Sequence, residues 1–67
     1  MKWQDYIVSD KEILVGKPVI KGTRLSVEFI LERLASGWSE ADLLESYPRL
    51  DRESIRAVYE YFENHKG

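Results

Sequence analysis

The sequence predicts a mostly α domain, a three-helix helix-turn-helix bundle preceded by a short β or extended segment. Three observations carry the expectation. The apolar spacing changes at Ser26, from short β-prone runs to a helical period. Three helix starts beyond that point repeat one arrangement: an apolar residue, a polar N-cap, and an apolar residue at the fourth helical position. The connections between these helices are too short for anything but neighbours in space. One domain over residues 1–67 is expected, with residues 1–25 as the β or extended segment and residues 26–65 as the three helices.

In the leading segment, Tyr6-Ile7-Val8, Ile13-Leu14-Val15 and Val19-Ile20 read as short strands or extended loop, separated by polar or turn-forming residues. Gly16 and Gly22 mark turns, and Pro18, which lacks a donor, fits a strand end or an edge. The helix starts are Leu25/Ser26/Ile30, Trp38/Ser39/Leu43 and Leu50/Asp51/Ile55, and Ser39 with Asp42 adds a weaker relative of the capping box. The first helix, about Val27 to Ser36, turns Val27, Ile30, Leu31 and Leu34 inward and stops at Gly37. The second, about Glu40 to Ser46, presents Ala41 and Leu44 inward and ends before Pro48. The third, about Arg52 to Asn64, buries Ile55, Val58, Tyr59 and Phe62. The last two have the proportions of a helix-turn-helix.

Composition narrows the function. With 67 residues there is no room for a catalytic domain with its own cleft, and the 43% apolar and 33% charged residues are those of a folded domain. Ten Lys and Arg against twelve Asp and Glu leave no overall cationic field, so any DNA contact must be local. The absence of cysteine excludes disulfides and thiolate metal sites, and one histidine cannot build a metal centre. The opening residues Met1 to Glu12 are too polar for a signal peptide, and no apolar run spans a bilayer, so a cytoplasmic location is expected. A chain this short without covalent staples lies near the stability limit, which favours a homodimer or a bound partner.

Two basic clusters are candidate sites. Arg49, Arg52 and Arg56 stand where a recognition helix places base and phosphate contacts. Opposing this, Glu53, Glu60 and Glu63 lie beside them and Glu40, Asp42 and Glu45 occupy the preceding helix; Arg56–Glu60 as an ordinary i,i+4 pair is the plainer alternative. Lys17, Lys21 and Arg24 fall within a Gly16 to Arg24 loop holding two glycines and a proline, a shape able to offer a positive tip to an acidic surface, or simply a solvated turn. Residues 1–26 carry five cations and three anions, while residues 27–48 carry one cation and five anions, so the molecule is electrically lopsided. The loop is not a phosphate-binding P-loop, because Lys21 precedes the second glycine.

On the third helix, Ser54, Ala57 and Tyr61 form a further strip, either the rim of the core or a partner contact. Phe29, opposite the first helix's apolar stripe and beside Arg33, is expected under the N-terminal segment; the alternative is an exposed anchor, and Trp3 shares the ambiguity. No base stands beside a Ser or Thr nucleophile, His65 lies at a helix end, and the carboxylates lie on outward faces. No catalytic residue, cofactor or metal site is therefore expected.

The run Gly16-Lys17-Pro18-Val19-Ile20-Lys21-Gly22-Thr23-Arg24-Leu25-Ser26-Val27, followed by Ile30 to Gly37, then Tyr47-Pro48-Arg49-Leu50 with Asp51, Ile55 and Ala57, resembles the domain-of-unknown-function-433 family. The resemblance covers about Ile7 to Tyr61. It implies a small winged or homeodomain-like helix-turn-helix protein of bacteria and archaea, similar to antitoxins encoded beside a PIN-like ribonuclease toxin. The implied activity is toxin neutralisation with self-regulated transcription. On that expectation the PIN-like toxin is the partner, Lys17, Lys21, Arg24 and Tyr61 are candidate partner-binding residues, and Arg49, Arg52 and Arg56 are candidate contacts to operator DNA.

Overall fold

The hairpin at the start of the chain changes the fold class. In the computed structural model, which describes residues 2–65, a 3-10 turn at Trp3–Asp5 leads into β1 (Ile7–Asp10) and β2 (Ile13–Ile20), paired antiparallel as a two-stranded sheet. Helices α1 (Val27–Ala35), α2 (Glu40–Ser46) and α3 (Arg52–His65) follow. The expected mostly α, three-helix bundle is therefore corrected to a small α+β fold with its strands first. The physical reason lies in the core. Ile7, Val19 and Ile20 are at most 5% exposed, and Ile7 and Ile20 pack in one cluster with Val27, Ile30, Leu43, Leu50, Ile55, Ala57 and Val58. The sheet is a wall of the core, and the helices do not close without it.

The register explains why this sheet is hard to read. Ile7 faces Ile20, Val8 faces Val19 and Ser9 faces Pro18, but the next pair is Asp10 with Ile13. Across that step β1 advances by one residue while β2 advances by five, so Leu14 to Lys17 bulge out of the ladder. The bulge is built from left-handed backbone, with φ of 50° at Leu14, 57° at Val15 and 81° at Gly16. Gly16 therefore does not end a strand; it lies inside β2, and the two β-prone runs beside it are one strand. Pro18 sits where β2 re-enters the ladder, a position that tolerates a missing donor. After β2 the chain turns through Gly22. The Thr23 hydroxyl donates to the Ile20 carbonyl (2.8 Å) and accepts from the Leu25 amide (3.0 Å), and the Ile20 amide donates to the Leu25 carbonyl (2.9 Å).

The helices begin as expected. The Ser26 hydroxyl accepts from the Phe29 amide at 2.9 Å, and Asp51 Oδ1 accepts from the Ser54 amide at 2.8 Å. Ser39 and Asp42 form a reciprocal capping box, with the Asp42 amide donating to the Ser39 hydroxyl and the Ser39 amide to the Asp42 carboxylate. Helix α1 closes through a Schellman turn: Gly37, at φ 100°, donates to the Leu34 carbonyl and Trp38 to the Arg33 carbonyl, both at 3.1 Å.

The inward face of α3 is rotated from the expected one. Ile55 and Val58 are fully buried, but Tyr59 and Phe62 are 42% and 47% exposed, whereas Ser54 and Ala57 are buried. The cause is what packs on the helix. The 3-10 turn and β1 lie against α3 together with α1 and α2, and this N-terminal wall draws in the Ser54–Ala57–Tyr61 strip instead. Trp3 meets Tyr61 edge-on at 5.0 Å between centroids, and Tyr61 stacks on His65 at 3.9 Å.

Candidate functional site

Between Ile13, the residue that precedes the left-handed bulge, and the α2–α3 connection lies an open groove of about 700 Å³. Ile13 lines one wall, the turn Gly22-Thr23-Arg24-Leu25 the floor, and the α2–α3 connection Ser46-Tyr47-Pro48-Arg49 the other wall. Each wall is held by local chemistry. The Thr23 hydrogen bonds set the turn, and Arg49 Nη1 donates to the Gly22 carbonyl at 3.2 Å, tying two segments 27 residues apart. A guanidinium carries five N–H donors, so that single bond leaves Arg49 able to meet an anionic group in the groove. Arg24 stands on the same groove. The surface is thus an aliphatic and aromatic trough with two arginines on it.

Beside this trough the chain exposes what it would ordinarily hide. Val15 is 93% exposed and Leu14 41%, both in a left-handed conformation that β-branched and bulky residues rarely adopt. Solvated aliphatic side chains on left-handed backbone bring the isolated chain no core packing to offset that conformation.

A cluster of aromatic side chains supports the far wall. Phe29 packs edge-on against Tyr47 at 5.6 Å, Trp38 stacks on Tyr47 at 6.4 Å, and the Arg33 guanidinium lies 5.3 Å from the Phe29 ring and 5.7 Å from the Trp38 ring. Phe29 is therefore half-buried under the α2–α3 connection, not under the N-terminal segment as its position predicts. Arg33 Nε is buried with no hydrogen-bond partner, so the ring faces are its main compensation.

The structure divides the sequence's basic loop between two places. Arg24 joins Arg49 in the groove just described. Lys17 lies outside that groove, its Nζ 3.8 Å from Glu28 Oε2; both side chains are more than 60% exposed, so solvent screens the pair. Lys17 and Tyr61 line a second, mainly apolar groove of about 470 Å³ with Pro18, Val27, Leu31 and Ala35. Lys21 is exposed in the turn after β2, its amide donating to the Tyr6 carbonyl at 2.8 Å. Arg52 and Arg56 are exposed on α3, away from Arg24. Glu60 Oε2 is buried without a hydrogen-bond partner, so the Arg56–Glu60 pair is not made at that oxygen. The exposed Glu40, Asp42 and Glu45 keep α2 acidic on its outer side.

Sequence reasoning did not single out Ile13, Leu14, Val15 or Tyr47 as site residues. A signal for the first three was present: an unalternating aliphatic run ending in glycine, which fits neither face of a two-sided strand.

Among the described residues no helix is long and apolar enough to cross a membrane. A protein from Sinorhizobium fredii, described as uncharacterized protein y4eO, is 38% identical over 60 residues; the match takes in 90% of this chain and 27% of that protein. A crystal structure of a DUF433 member protein from Anabaena variabilis superposes with a TM-score of 0.87 at 27% identity, covering 92% of this chain and 61% of that one. The present chain thus spans only part of the length of both relatives. The family model described as protein of unknown function (DUF433) matches residues 7–62, from the first strand to the last turns of α3, and the chain belongs to that family.

Proposed function

We propose that this chain is an antitoxin-like, non-enzymatic protein that binds and neutralises a PIN-like ribonuclease toxin in the prokaryotic cytoplasm, and more weakly binds its own operator DNA. The observation that carries the reading is the groove between Ile13, just ahead of the β2 bulge, and the α2–α3 connection. Its Ile13 and Tyr47 walls and two arginines suit an acidic protein surface with apolar anchors, and the exposed Leu14 and Val15 follow Ile13 directly in the chain, within reach of a partner that meets Arg24 and Arg49. The resemblance to antitoxin-like members of the family supplies the class of partner. Lys17, Lys21 and Tyr61 are secondary candidates, since they lie outside this groove.

The test is co-expression with the product of the adjacent reading frame. A stable complex and relief of growth arrest are expected, with both lost in an Arg24→Glu/Arg49→Glu variant that keeps its helical spectrum. If no complex forms and toxicity persists, the antitoxin reading fails.

A second reading is a stand-alone helix-turn-helix regulator. It is favoured by the exposure of Arg49, Arg52 and Arg56 at the start of α3 and opposed by the acidic outer side of α2. Promoter binding that falls steeply with salt and is lost in Arg52→Ala/Arg56→Ala would support it.

A further inference from the structure

We infer that α3 is also an interface between two copies of this chain, pairing antiparallel with itself through Arg52, Arg56, Tyr59 and Glu63. These four residues are spaced by four, three and four, which places them along one seam of a helix. All four are exposed, and Phe62, 47% exposed, flanks the seam one turn from Tyr59. None of them lines the groove assigned to the toxin-like partner, so this inference stands independently of that reading.

The seam is complementary to itself and not to a uniform charge. Cations occupy its N-terminal end, a carboxylate its C-terminal end, and an aromatic ring the middle. Arg52 and Glu63 lie eleven residues apart, roughly 16 Å along the axis at about 1.5 Å per residue. Laid antiparallel about a two-fold axis, Arg52 of one copy comes opposite Glu63 of the other. In the same register Arg56 comes opposite Tyr59, a guanidinium over a phenol face. Isologous symmetry makes each contact twice, so one seam yields two ion pairs and two cation–ring pairs. Duplex DNA offers no such match, because Glu63 would lie against phosphate. The contact also removes from water the exposed parts of the Tyr59 and Phe62 rings. A single helix pair of this length buries less than the roughly 1,200 Å² of a standard interface, so the dimer dissociates in the micromolar range or above.

Sedimentation equilibrium of the whole chain from about 5 μM to 1 mM tests the inference, since that window brackets such an affinity. A concentration-dependent monomer–dimer equilibrium weakened by salt is expected. Arg52→Glu and Glu63→Arg should each raise the dissociation constant about tenfold, because each sets like charges opposite one another twice. Combining them in one chain exchanges the charges and should restore wild-type association. Tyr59→Ser/Phe62→Ser should abolish dimerisation; both rings are more than half covered in the monomer, so the melting temperature falls as well, and a helical circular dichroism spectrum retained at the assay temperature shows that the variant is folded. A chain monomeric throughout the range, or a double charge exchange that fails to restore association, overturns the inference. So does loss of operator binding in Arg52→Ala/Arg56→Ala with self-association intact, which would assign this face to nucleic acid.

Discussion

Replacing Val15 by asparagine should make the isolated protein more stable and a poorer binding partner. The stabilisation follows from two features of one residue. Val15 is 93% exposed, so removing its methyl groups forfeits almost no buried area, and its φ of 57° places a β-branched side chain in the left-handed region. That conformation costs roughly 1–2 kcal/mol for ordinary L-residues and much less for asparagine. A net gain of about 1 kcal/mol is expected, which in a domain this size raises the melting temperature by about 4–8 °C. Val15→Ala relieves the branching but not the left-handed penalty and should gain less. Thermal unfolding followed by circular dichroism at 222 nm measures both. On the proposed reading the toxin-like partner should be retained about tenfold less well by the asparagine variant, since an exposed aliphatic contact two residues from the groove's Ile13 is lost. An unchanged or lower melting temperature would refute the strain argument. A higher melting temperature with full retention of the partner would instead remove the bulge from the binding surface.

Three further outcomes follow from the packing. Ile20→Ala, at a β2 position only 1% exposed, should cost about 2–5 kcal/mol in urea unfolding; a cost near that of a surface substitution would show the hairpin to be an appendage and not a core wall. A chain of 67 residues has only roughly 3–10 kcal/mol in total, so this variant should lose a large share of it and its urea midpoint should fall steeply. Ser39→Ala breaks the capping box of α2 and should destabilise by about 1 kcal/mol in the same assay. Trp3→Ala removes the edge-on contact with Tyr61 and should reduce the near-ultraviolet circular dichroism signal while leaving the helical signal almost intact.

The helix starts and ends were legible because their information is local, whereas the inward face of α2 was not: Leu43 is buried and Ala41, expected inside, is exposed. An N-cap, an apolar staple and a glycine at a helix end act within a few residues, and Ser26, Ser39, Asp51 and Gly37 each do in the structure what their neighbours in sequence predict. The hairpin was half legible. Its β-prone runs were visible, but the five-residue step in β2 interrupts alternation, and a glycine inside a strand reads like a glycine between strands. The inward face of α3 could not be settled from period alone. Two adjacent stripes were both apolar, and only the packing of the 3-10 turn and β1 decides that Ala57 is inside and Phe62 outside. The groove is less legible still, because it joins Ile13, Thr23 and Tyr47, which no spacing rule connects.

The contact among Trp3, Tyr61 and His65 bears on how such a unit can be used by longer polypeptides. Trp3 and His65 lie 5.4 Å apart between ring centroids, so the described chain enters and leaves the fold at one spot. A module whose entry and exit coincide can be spliced into a surface turn of another protein without prising either host or guest apart. The matched stretch is 27% of the Sinorhizobium relative, and a unit of this geometry can accept added chain on either side without disturbing its own core.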